Sequence, residues 1–153
     1  MDTQTYQARL TLTRFFEGQV RGEGVVTGRN GQAKRWFTAA FHGRATEKGL
    51  LVDEAIRFAD GEVTERDWLI RSSGQGRFDI DPTDETSAVV IETVDGGNWR
   101  WRYAMDLPVN GRTIRFQVVD LMIPTDGGRV MAHTTLAKFG ITLAHIYTLY
   151  EKA

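Results

Sequence analysis

Apolar and polar residues alternate with a period of two along most of the chain, and glycine or proline interrupts them roughly every ten residues. This is the pattern of half-buried strands joined by short turns. It predicts strands near Gly18–Gly28, Ala33–Thr46, Leu50–Asp60, Val63–Ser72, Gly76–Asp81, Ser87–Val94, Asn98–Leu107, Arg112–Ile123, Arg129–Lys138 and Ile141–Glu151. Pro82, Pro108 and Pro124 fall at or beyond strand ends, where a missing N–H does little harm. The breaks include Asn30-Gly31, Asp60-Gly61, Asp95-Gly96-Gly97, Asn110-Gly111 and Asp126-Gly127-Gly128, pairs suited to the positive φ of tight hairpins. Helical periodicity is confined to a turn or two around Leu10–Phe16.

The segment "NWRWRYAMDLPVNGRTIRF" raises a question of function, because arginine and aromatic residues alternate strictly in it. A two-residue turn at Asn110-Gly111 answers it. That turn sets Leu107 opposite Ile114, Met105 opposite Phe116, Tyr103 opposite Val118, Trp101 opposite Asp120 and Trp99 opposite Met122. Asp106 faces Arg115 on the other side, a favourable cross-strand pair. The rings then point inward and Arg100 and Arg102 point to solvent. A nucleic-acid platform needs exposed rings in a basic groove, so this reading is set aside.

A meander with one apolar face and no helices to cover it buries that face by closing on itself. The expected fold is all-β: an up-and-down antiparallel barrel of about 8–10 strands with little helix. It forms a single domain over residues 1–153, with residues 1–11 expected to be flexible. Trp36, Trp68, Trp99, Trp101, Tyr103, Phe58 and Phe116 are the large residues expected to fill or line its interior.

Composition narrows the function classes. The formal net charge of −1 lacks the basic excess of a nucleic-acid binder. The absence of cysteine removes disulfides, thiol chemistry and cysteine-bound metal centres. No apolar run is long enough for a transmembrane segment and no signal-peptide core is visible, so the chain as written reads as cytoplasmic, or as an envelope protein if its N-terminus has been trimmed.

Four pieces carry a resemblance: "RFFEGQVRGEGVV", "ADGEVTERDWLI", "WRWRYAMDLPVNGRTIRF" and "TLAKFG". The matching positions are Phe16 and Gly18, then Glu54, Phe58, Asp60, Gly61, Glu62, Arg66 and Trp68, then Trp101, Tyr103, Leu107, Pro108 and Val109, and last Lys138, Phe139 and Gly140. In these the chain resembles a bacterial family of lipoprotein-like proteins known only as a domain of unknown function, over nearly its whole length. The resemblance implies a lipocalin-like (calycin-like) barrel and no known activity. The chain lacks the lipobox cysteine of the lipoprotein members and the Gly-x-Trp of true lipocalins.

Two polar pairs stand out on the predicted inner face. In "LVDEAIRFADGEVTERDWLI" a three-residue loop with a bulge would set Ile56 opposite Arg66, Glu54 opposite Trp68 and Val52 opposite Ile70, with Glu54 diagonal to Arg66, whereas a two-residue turn would point Arg66 outward. Charges in that position need each other or a polar ligand, and the pair reads either as a register-setting ion pair or as a fork for a ligand carboxylate. A two-residue turn at Asp126-Gly127 would pair Met122 with Met131, Asp120 with His133, Val118 with Thr135 and Phe116 with Ala137. Asp120 and His133 would then touch, either as a satisfied polar pair or as a tuned base. No serine or cysteine completes a triad. His42 and His145 lack metal-ligand spacing, and haem is conceivable only through a barrel histidine. The glycines of "GQVRGEG" and "SSGQGRF" read as turn and bulge glycines rather than a phosphate loop.

The expected function is binding of a small hydrophobic or amphipathic molecule in the barrel. The candidate lining is Glu54, Arg66, Trp68, Trp101, Tyr103, Phe116, Asp120, Met122, Met131 and His133. The alternatives are an isomerase or hydrolase using the same cavity, haem binding, or a filled barrel with a structural or partner-binding role. No catalytic residue or metal ligand is assigned, and neither cofactor nor oligomeric state is legible.

Overall fold

In the computed structural model of the protein, residues 12–74, 77–82, 89–94, 98–109, 111–125 and 127–153 are described. The expected starts of two strands, the first 11 residues and parts of the Asp95–Gly97, Asn110 and Asp126 turns lie outside them. Ten strands form a closed antiparallel barrel in which each pairs with its sequence neighbours and the last returns to the first. They are β1 (Gly18–Gly28), β2 (Ala33–Thr46), β3 (Gly49–Phe58), β4 (Val63–Gly74), β5 (Arg77–Pro82), β6 (Val89–Val94), β7 (Asn98–Val109), β8 (Arg112–Pro124), β9 (Val130–Lys138) and β10 (Ile141–Lys152). One turn of helix, α1 (Leu12–Phe16), precedes β1.

Turn chemistry sets the register and therefore which side chains face inward. Three connections share a geometry. Gly28 N donates to Gln32 O at 2.9 Å, Phe58 N to Glu62 O at 2.9 Å and Thr125 N to Arg129 O at 2.8 Å. Each encloses three residues, and the third is a glycine at positive φ: Gly31 at 79°, Gly61 at 98° and Gly128 at 80°. The β7–β8 hairpin instead turns in two residues, with Val109 opposite Arg112, and its whole register is the expected one.

The other two predicted registers differ. At β3–β4 the left-handed glycine is the third loop residue rather than the second, which slides the pairing by two. Glu54 lies opposite Arg66, Val52 opposite Trp68 and Ile56 opposite Thr64. An even slide keeps every side chain on its expected face. At β8–β9 the loop is one residue longer than expected. The Thr125 hydroxyl supports the longer form by accepting N–H bonds from Gly127 at 3.3 Å and Arg129 at 3.2 Å. Asp120 therefore faces Thr134, Val118 faces Leu136 and Gln117 faces Ala137, while His133 lies opposite Leu121 and Met131 opposite Ile123. The odd slide turns His133 and Met131 to the outside, and Met131 is 57% exposed.

One end of the barrel is plugged. Leu12, Phe15 and Phe16 of α1 pack with Val20, Leu50, Val52, Trp68, Ile70, Trp99, Met122 and Val130. Five residues make a poor helix alone, so tertiary contacts must hold this turn. A Cβ on Gly43 would lie 1.8 Å from the Phe16 carbonyl oxygen, so glycine is what lets α1 close against β2. Lys152 donates to the carbonyls of Arg14 at 3.2 Å and Phe15 at 2.7 Å, and to that of Glu17, which satisfies the end of the short helix.

Trp36 departs from its expected place: it is 57% exposed on the outer surface. In β2 the inward positions belong to Arg35, Phe37, Ala39 and Phe41, so the ring between them must face out. Arg35 correspondingly belongs to the inner mouth.

Candidate functional site

Above the plug the barrel encloses a cavity of about 330 Å³. Its position follows from small residues on one wall facing large ones on another. Gly22 and Gly24 sit mid-strand in β1, not in turns or bulges as expected. A Cβ on Gly22 would lie 2.8 Å from the Tyr150 ring, and one on Gly24 2.5 Å from the Phe37 ring. The two missing side chains let those rings lie across β1, and the space remaining is the cavity.

The walls are mostly aromatic and aliphatic. Trp68 and Tyr103 meet edge to face at 6.1 Å, Phe41 and Tyr150 at 5.6 Å, and Phe16 and Trp101 at 6.2 Å. At the end away from α1, Arg35 stacks 3.5 Å above the Phe58 ring. It is tied there by Asp60 at 2.8 and 3.0 Å and Glu62 at 3.4 Å. Arg35, Phe58 and Glu62 form this rim.

Polar groups occupy the middle of the cavity. Trp68 Nε1 donates to Glu54 Oε2. Arg66, directly across from Glu54, reaches Met105, whose sulfur lies 3.6 Å from both terminal nitrogens. On the opposite wall Asp120 Oδ1 accepts from Thr134 Oγ1 at 2.9 Å. Asp120 is enclosed by protein yet keeps part of its surface open to the cavity space. Removal from water pushes its carboxyl up to about 7; the Thr134 bond opposes the shift and the negative charge of Glu54 adds to it. Burial likewise raises the Tyr150 phenol well above its usual range, helped by Asp120 and Glu54.

Seven of the ten expected lining residues meet here: Glu54, Arg66, Trp68, Trp101, Tyr103, Asp120 and Met122. Phe116 is buried opposite Met105 but forms no part of this wall. Met131 and His133 are outside, so the Asp120–His133 contact does not exist. His133 instead stacks on His145, with Nε2 2.8 Å from His145 Nδ1, and on Tyr147 with ring centroids 4.9 Å apart. His42 is exposed on the outside of β2. No histidine faces the cavity, which removes the expected route to axial haem ligation. No group of three or more metal-ligating side chains occurs among the described residues.

Sequence reasoning missed Thr134, Thr148 and Tyr150. Alternation along "ITLAHIYTLYEK" puts Ile146, Thr148 and Tyr150 on one face, but only closure of β10 onto β1 identifies that face as the inner one.

A family model described as a protein of unknown function, DUF3833, matches residues 1–152. The chain belongs to that family. No curated protein matches it. A solved structure of the S-type phycobiliprotein lyase CPES from Guillardia theta is similar, with a TM-score of 0.70 and 9% sequence identity over 100% of this chain and 98% of that one. Family membership bears out the resemblance to a domain of unknown function, and the structural likeness bears out the lipocalin-like barrel. At that identity the likeness is one of fold. No helix among the described residues is long and apolar enough to cross a membrane.

Proposed function

We propose that the protein binds a small amphipathic molecule inside its barrel. One observation carries this reading: Glu54, Arg66, Asp120 and Tyr150 face an aromatic cavity of about 330 Å³. A barrel that only had to fold would fill this space with aliphatic side chains rather than turn four ionisable groups toward open volume. The volume lies at the small end of the range for ligand sites, which suits a compact molecule. The similar structure is titled a phycobiliprotein lyase, so a barrel of this shape can carry a function beyond folding.

Filling the cavity tests the reading. Ala39 lines it from β2, and Ala39→Trp places a ring there. A solvatochromic dye should bind the wild-type protein and be excluded from the folded variant. Equal binding to both would place the dye elsewhere and remove the support.

Proton transfer on the bound molecule is a second reading, favoured by one observation: the Asp120 carboxyl is poised near neutrality, the range useful to a general acid or base. Of the two pairs expected as machinery for an isomerase or hydrolase, Asp120–His133 does not form, while Glu54 and Arg66 stand opposite each other in the cavity; Asp120 would act with Thr134 and Tyr150. Recovery of an unchanged molecule after long incubation would leave binding alone.

A further inference from the structure

The charges around the cavity do not balance wall against wall. Among the described lining residues there are three carboxyls, Glu54, Glu62 and Asp120, and two guanidinium groups, Arg35 and Arg66. Arg35 is tied to Asp60 and Glu62 at the rim. Arg66 stands directly opposite Glu54 on the neighbouring strand. That leaves Asp120 on the far wall, where its bonded partner is the neutral Thr134 hydroxyl and no cationic side chain pairs with it among the described residues. Four electron-rich rings, Trp68, Trp101, Tyr103 and Tyr150, line the same space, and Trp101 is the cross-strand neighbour of Asp120.

An enclosed carboxyl without a counter-ion, in a cavity lined by indole and phenol rings, is the chemistry that recognises an organic ammonium group. The carboxylate supplies the ion pair, and the rings offer their negative faces to the N–H or N–CH groups. We infer that the ligand of the cavity is an amphipathic organic cation, an apolar body bearing a protonated or quaternary nitrogen that seats against Asp120. This inference rests on the proposal that the cavity binds a ligand at all. It reverses the polarity expected from Arg66, which pointed to a ligand carboxylate. Arg35 stands at the rim, where it disfavours a second positive charge and orients the ammonium inward, while Arg66 lies deeper, opposite Glu54.

Three probes with one chain and different heads test it: octylammonium, octanol and octanoate, titrated calorimetrically into the intact protein. Octylammonium should bind at least about tenfold tighter than octanol, with octanoate weakest. Seating a cation also requires the carboxyl to ionise, so binding at about pH 6 should release a proton to the buffer. This release is read by repeating the titration in buffers of different ionisation enthalpy. Asp120→Asn should lose both the preference and the proton release while still binding octanol. If that variant does not fold, the wild-type proton release still decides. Octanoate or octanol binding as tightly as octylammonium, or binding without proton release, overturns the inference and leaves the ligand reading standing. No binding of any of the three overturns both.

Discussion

The two ends of the barrel are built from similar residues and do different work. At the plugged end Leu12, Phe15 and Val130 are wholly buried, and Phe15 packs on Phe16 at 5.2 Å and Trp99 at 6.2 Å. At the other end Phe37 and Phe58 also meet, at 5.9 Å, but they border open space and share the rim with an ion-paired arginine. The plug packs its aromatic residues into the core, and the mouth leaves them bordering the cavity. Substitutions at the plug should therefore cost folding, and substitutions at the mouth should change binding.

The largest effect is expected at the plug. Phe15→Ala should cost about 3–5 kcal/mol in chemical denaturation, as for other fully buried phenylalanines. A cost below about 1 kcal/mol, typical of surface positions, would break the contrast between the ends.

The cavity between them should show itself in pH dependence. Asp120 has its folded-state carboxyl raised to about 7. The native state therefore binds a proton that the unfolded chain has lost, and stability falls as pH rises from about 4 to about 7, then levels. The shift corresponds to at most about 4 kcal/mol. Asp120→Asn should flatten this slope and be the more stable form at about pH 8. A variant with the wild-type slope would assign the titration to another group.

At the rim, Arg35→Gln should change stability by less than about 1 kcal/mol, because its partners are well exposed to water. Dye affinity should change measurably in the same variant. A large stability loss would make the rim part of the core. The smallest effect concerns the β9–β10 turn at the same end. Phe139 sits at φ 53° with 90% of its surface exposed. Phe139→Gly relieves a conformation that a bulky residue rarely adopts and should stabilise by a few tenths of a kcal/mol, measured by thermal melting.

These contrasts were only partly legible in the sequence. Strand positions were, because period-two patterning and turn residues agree along the whole chain. The β7–β8 register was also legible, because Asn110-Gly111 stands between strands that pair cleanly on both faces. The β8–β9 register was not. In Asp126-Gly127-Gly128 composition does not say which glycine takes the positive φ, and one residue of difference moves His133 from beside Asp120 to the outer surface. The plug was hidden for another reason. "LTRFF" is too short to carry a periodic signal, and its partners Gly43 and Lys152 are brought to it by barrel closure alone. The acidic side of the cavity became visible once Thr134, rather than His133, stood opposite Asp120.

The central claim, that the barrel holds a small amphipathic molecule, is tested most directly by native mass spectrometry of the protein purified gently from its host. The wild-type protein should carry a discrete added mass that is released on denaturation and is absent from folded Ala39→Trp. A bare wild-type mass, in a protein that also fails to take up octylammonium, octanol or octanoate, would contradict it.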